Sequence, residues 1–258
     1  DLASTLDAPK DHPEIQALAQ KLAYSPAPIY AFVLNEIRFE PYYGSLKGAI
    51  GTLHSGAGGR TDQASLLIAL LRASNIPARY VKAKVRVTDG TNQGANSRAA
   101  LWTGAKSNVG AANILEQGRW PTGSANLAGA GTYFDFTQIF VEVCVPYTAY
   151  RGLALNPQGH RWIPLDPSFK VRQYQPGIAG ALGTFDYAAF YSTYLAKRTN
   201  GPDSLPHEEA AKTIASYIGS LPPNYSNNAI TDVPYLGSHV PQRVDILPSS
   251  LPYRVEQW

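Results

Sequence analysis

GGRTDQASLLIALLRASNIPARYV, residues 58–81, reads as a glycine turn, an apolar helix, a proline stop and a strand. Leu66, Leu67, Ala69, Leu70 and Ala73 recur at helical spacing, which predicts a helix beginning near Asp62. Thr61 or Asp62 is placed to cap its first turn, and Asn75 and Pro77 to stop it. A helix this apolar belongs in a core. Its amino end, reached through Gly58 and Gly59, concentrates partial positive charge and free N–H donors, so chemistry is expected there.

The strand that follows alternates: Val81, Ala83, Val85 and Val87 on one face, Lys82, Lys84 and Arg86 on the other. The charged face reads as solvated, with a basic groove for an acidic polymer as the alternative. Residues 89–131 then break the pattern, being rich in Gly, Asn, Ala and Ser, and read as an insertion able to fold over a cleft. Trp102 and Trp120 either pin it to the body, the commoner use of buried aromatic rings, or offer a stacking platform. Strands are expected at Tyr133–Val145 and Arg161–Leu165, joined through a turn at Asn156-Pro157-Gln158-Gly159.

Three of these segments together resemble the transglutaminase-like superfamily. The helix has the form DxASLLxALLRA followed by IPARYV; Gln138-Ile139-Phe140-Val141-Glu142-Val143 stands for a strand of the form HxWVEV; Trp162-Ile163-Pro164-Leu165-Asp166-Pro167 stands for WxxLDP. The resemblance implies an α+β, papain-like fold, with a buried central helix packed on an antiparallel sheet. It also implies a triad of cysteine at the helix start, histidine opening the strand and aspartate in the last segment. Here those positions hold Arg60, Gln138 and Asp166. Arginine is no nucleophile and keeps its proton near neutral pH, and glutamine is no general base. The thiolate mechanism thus lacks two working parts, and no catalytic residue is expected.

Substitutes for the lost pair are few. Cys144 shares the strand face of Gln138, Phe140 and Glu142, about 20 Å along from Gln138 at roughly 3.3 Å per residue, and is expected to be a buried structural thiol. His54, six residues before Arg60, is the one histidine near enough to replace the base, though a packing or surface role is expected. No histidine pair has zinc-helix spacing, so no metal and no cofactor are expected. Arg60, His54, Gln138, Asp166, Trp102 and Trp162 are the candidates for a binding cleft.

Outside this centre, residues 1–12 read as a linker and Pro13 as the start of a helix with Asp11 nearby as its cap, and Ile15, Leu18, Ala19 and Leu22 on one stripe. A helix follows near Pro28–Asn35, and Ser45 is placed to cap another through Leu53. The transglutaminase-like domain is expected over 13–185, with the insertion inside it. Accessory helices are expected over 186–219, at Asp186–Arg198 and Pro206–Tyr217, before a proline-rich strap or linker over 220–258. Asn224-Tyr225-Ser226 is a formal glycosylation sequon.

With 258 residues, 44% hydrophobic and 16% charged, the chain can bury a sizeable core. A net charge of +3 is too small to argue for nucleic acid, and no apolar run is long enough to span a membrane. A single cysteine precludes an internal disulfide. The absence of methionine suggests a piece of a longer protein, and abundant Tyr, Gly, Asn and Pro suit a secreted or cell-surface bacterial protein. The expectation is a non-catalytic domain binding a peptide or polysaccharide beside neighbouring domains. The alternative is an active transglutaminase or amide hydrolase with a rearranged site.

Overall fold

The computed structural model describes residues 1–129, 131–146, 159–176, 186–199, 205–219 and 237–257. The expected turn through Asn156, Pro157 and Gln158 and the sequon at Asn224 lie outside them. The chain divides into a first unit, 1–173 with 241–258, and a second, 174–240. The second contains α7 (Tyr187–Thr199) and α8 (Pro206–Gly219).

The first unit is α+β. Its helices are α1 (Pro13–Lys21), α2 (Pro26–Glu36), α3 (Gly48–Ser55), α4 (Arg60–Ala73), α5 (Arg98–Thr103) and α6 (Asn108–Gln117). Proline opens both α1 and α2, where its missing N–H costs nothing. His12, not Asp11, caps α1 through its side chain. The central helix runs as its periodicity predicts, and every residue from Leu66 to Leu71 is buried. It begins at Gly59 without a side-chain cap. Asp62 does other work: its carboxylate accepts the amides of Leu46, Lys47 and Gly48 and the hydroxyl of Ser45, and so caps the neighbouring α3. Ser45, expected to cap α3 itself, is a ligand of that carboxylate.

Strands β1 (Arg38–Phe39) and β2 (Ala57–Gly58) pair in parallel. A five-stranded antiparallel sheet holds β3 (Ala78–Gly90), β4 (Thr122–Asn126), β5 (Thr132–Pro146), β6 (His160–Leu165) and β9 (Arg254–Gln257). Strands β7 (Arg172–Gln175) and β8 (Ser238–Pro241) pair with each other. Long β5 pairs with β3 on one side, and with β4 and then β6 on the other.

The burial of β5 changes face midway. Phe134, Phe136, Gln138 and Phe140 are buried on one face, and Val141, Val143 and Val145 on the other. Two cores result. The valines join Ala78, Leu165 and the apolar residues of α1, α2 and α4. The phenylalanines join Ala83, Val85 and Val87 with Phe39, Trp102, Trp120, Phe169 and Tyr253. The segment 89–131 is thereby tied down by α5, α6 and β4, with Trp102 stacked on Phe169 at 4.7 Å and on Phe136 at 5.3 Å. Pinning, rather than a free stacking platform, is what these two rings provide.

Candidate functional site

Gln138 points from β5 into the aromatic core at its junction with the first, and Asp166 follows the last residue of β6. Both are buried, at 0% and 2% exposure. The Gln138 amide donates to Asp166 Oδ2 at 2.5 Å and to Ser168 Oγ at 3.1 Å. Tyr253 donates its hydroxyl to the same Oδ2 at 2.7 Å. Oδ1 accepts the Ser168 amide at 2.9 Å and the Ser168 hydroxyl at 2.7 Å. An ionised carboxylate with this many donors is well solvated by the protein. Burial, reinforced by the Asp166 charge, pushes the Tyr253 phenol well above its usual range, so it stays a donor.

Arg60, the first residue of α4, is 1% exposed. Its Nη1 donates to the carbonyl of Thr137, the residue before Gln138. The guanidinium lies over the Trp120 ring at 4.1 Å and near Tyr43 at 5.6 Å. No carboxylate among the described residues forms an ion pair with it, and its Nε has no hydrogen-bond partner. Burial lowers its pKa to about 10, while Tyr43, Asp166 and Tyr253 act the other way. The approach to this helix end is covered. A Cβ on Gly59 would come within 2.7 Å of the Tyr42 ring, so glycine is required for that ring to lie against the turn. Tyr42 is held in turn by its hydroxyl on Asp62, while its carbonyl accepts Trp120 Nε1 at 3.1 Å.

Next to this cluster sits a buried ammonium. Lys170 Nζ donates to the carbonyls of Val33, Leu34 and Pro167 and to Gln63 Oε1, at 2.7 to 3.1 Å. It thus closes the carboxyl end of α2, where a cation is favoured. Burial holds its pKa well below the usual lysine value.

The structure therefore gathers Arg60, Gln138 and Asp166, sets Trp102 behind them, and places His54 and Trp162 elsewhere. Trp102 is fully buried and donates Nε1 to the Ser168 carbonyl at 2.9 Å, so it braces the Asp166 turn from behind. Trp162 pairs with Cys144 across β5 and β6, under the Arg79 guanidinium at 4.2 Å. His54 is exposed and lies 2.6 Å from Glu14. Cys144 is half-buried rather than buried. Among the described residues no cluster of histidine, cysteine, aspartate and glutamate could hold a metal. The sequence reading missed Ser168, Lys170 and Tyr253. The first was signalled by Asp166-Pro167-Ser168, in which an aspartate accepts the amide two residues on.

An antiparallel sheet against a buried helix whose amino end meets a strand and an aspartate turn is the papain-like arrangement. A family model described as transglutaminase-like superfamily matches residues 13–167, and the chain belongs to that superfamily. No curated protein and no solved structure matches it.

Proposed function

We propose that this transglutaminase-like domain is non-catalytic and serves a larger exported protein as a binding module for a peptide or polysaccharide. The observation that carries this is the Gln138–Asp166 hydrogen bond. Where the resemblance implies a histidine general base, an amide spends its N–H on the carboxylate, and an amide accepts no proton near neutral pH. At the position implied for the thiol, Arg60 is stacked on Trp120 and tied to Thr137. Cys144 and His54, the available substitutes, point elsewhere: one stands beside Trp162, the other pairs with Glu14. Export rests on composition alone.

The test is amide hydrolysis and amine incorporation on glutamine-bearing peptides, with the wild-type domain, Cys144→Ala and His54→Ala side by side. No turnover in any of the three is expected. Turnover that disappears in either variant would overturn the reading and identify a rebuilt active site.

A further inference from the structure

A groove of about 550 Å3 lies within the first unit, between α5, the segment Phe169–Arg172 and the segment Leu251–Arg254. Leu101, Val171 and Leu251 give it an apolar lining, with Phe169 buried beneath, while Arg98, Arg172 and Arg254 bring cations. No carboxylate belongs to its lining among the described residues. Arg172 is fixed by donating Nη1 to the carbonyls of Leu101 and Trp102 at the end of α5, and no described carboxylate pairs with it. Burial lowers its pKa, as expected of a cation short of compensating charge. Arg98 is exposed and reaches the Pro252 carbonyl at 2.9 Å, bridging two walls. Arg254, on the rim, has Nε 3.3 Å from Glu256 and stays largely exposed. Asp89 caps α5 by accepting the amides of Arg98 and Ala99, and its charge also faces Arg98.

We propose that this groove binds an acidic peptide, with carboxylates on Arg98, Arg172 and Arg254 and an apolar side chain against Leu101, Val171 and Leu251. Charge complementarity selects the anion, since arginine forks match carboxylates, Arg172 pairs with no described carboxylate, and the Arg254–Glu256 pair is exposed and exchangeable. The apolar lining selects a peptide over a sugar. A sugar ring needs an open aromatic face and polar side chains, whereas Phe169 and Tyr253 are each 6% exposed and committed to the aromatic core. The groove has no Asn, Gln, Asp or Glu in its lining. It lies apart from Arg60 and Gln138, sharing with the Asp166 network only the phenol of Tyr253 and the neighbouring Phe169 and Lys170. This inference rests on the binding-module reading and names its ligand class and place.

The experiment is fluorescence anisotropy of a labelled short peptide of alternating Glu and Leu, against the same peptide with Gln for Glu. It is run on the whole chain and on the double variant Arg98→Gln, Arg254→Gln. Both arginines are exposed, so the variant keeps its fold, which circular dichroism verifies. The Glu peptide is expected to bind, to weaken with added salt, and to lose about tenfold or more in affinity with either the Gln peptide or the variant. Equal binding of the Gln peptide, unchanged binding in the variant, or no saturation up to about 1 mM overturns the proposal. Tighter binding of an oligogalacturonate assigns the groove to polysaccharide and overturns the peptide. The two readings fail separately: turnover in the amide assay removes the non-catalytic one and leaves the arginine-dependent anisotropy as it was.

Discussion

The Gln138 amide nitrogen lies 2.5 Å from Asp166 Oδ2, with both side chains out of contact with solvent. The amide is oriented by that contact, because its other end would set oxygen against carboxylate oxygen. It leaves Gln138 Oε1 with no hydrogen-bond partner. The pairing therefore serves the carboxylate more than the glutamine.

Gln138→Glu tests it. Two carboxylates in such contact cannot both be ionised. The shared proton is held more tightly in the folded chain than in the unfolded one, so the folded pKa is raised. Stability is then unaffected below about pH 4 and lost as pH rises. A penalty of about 3 kcal/mol near neutral pH is expected, shrinking toward pH 4. Urea midpoints of wild type and variant at both pH values measure it, and a penalty independent of pH would contradict the geometry.

Tyr253→Phe removes one donor to the same carboxylate and keeps the ring. Loss of a hydrogen bond to a charged group costs about 1.5–3 kcal/mol. The amides of β9, just after Tyr253, should also exchange faster with deuterium. Unchanged protection of β9 would show that the phenol does not fasten this segment.

The buried phenols set an alkaline limit. Burial raises the pKa of Tyr30 and of Tyr253, and burial with the Asp62 hydrogen bond raises that of Tyr42. For acids with raised folded values, stability is whole below the unfolded value of about 10 and falls as pH climbs through the folded range. Arg60, lowered to about 10, and Arg72 and Arg172, also lowered by burial, work in the opposite direction over the same window, three arginines against four phenols once Tyr80 is counted. Net destabilisation above about pH 10 is expected. Absorbance at alkaline pH would show these tyrosines ionising together with unfolding; gradual ionisation in the folded state would refute it.

Lys170→Met and Arg60→Met should differ. The first strands three carbonyls and the Gln63 amide oxygen, and is expected to cost about 3 kcal/mol. The second removes a cation that has one carbonyl bond, the face of the Trp120 ring and no ion pair, and because its burial offsets these contacts it should change stability by about 1 kcal/mol or less in either direction. Equal losses in denaturant would mean that Arg60 is better compensated than its contacts indicate.

What was legible in the sequence was periodic. The α4 spacing, the β3 alternation and the order of the Gln138 and Asp166 segments depend on near neighbours, and the fold follows them. The segment 89–131 was opaque because α6 is built from NVGAANILEQ, with few large apolar residues, and is held by tertiary contacts around Trp102 and Trp120. Asp62 was misassigned for a related reason: a carboxylate in a first turn is read as a cap for its own helix, and only the fold brings α3 to it. Tyr253 was hidden deepest, since a phenol far along a proline-rich tail carries no local sign of a partner at Asp166.

That last contact governs the order of assembly. Residues 241–258 belong to the first unit although 174–240 intervene. A ribosome that has made α4, β5 and β6 has not yet made the phenol that completes the Asp166 cage or the strand that pairs with β3. The nascent domain must hold an incompletely solvated carboxylate and a bare sheet edge while about ninety further residues emerge after β6, roughly four to eighteen seconds at ordinary elongation rates. Final locking of the core thus waits for residues 241–257, and a truncation before Tyr253 would arrest the domain at that stage.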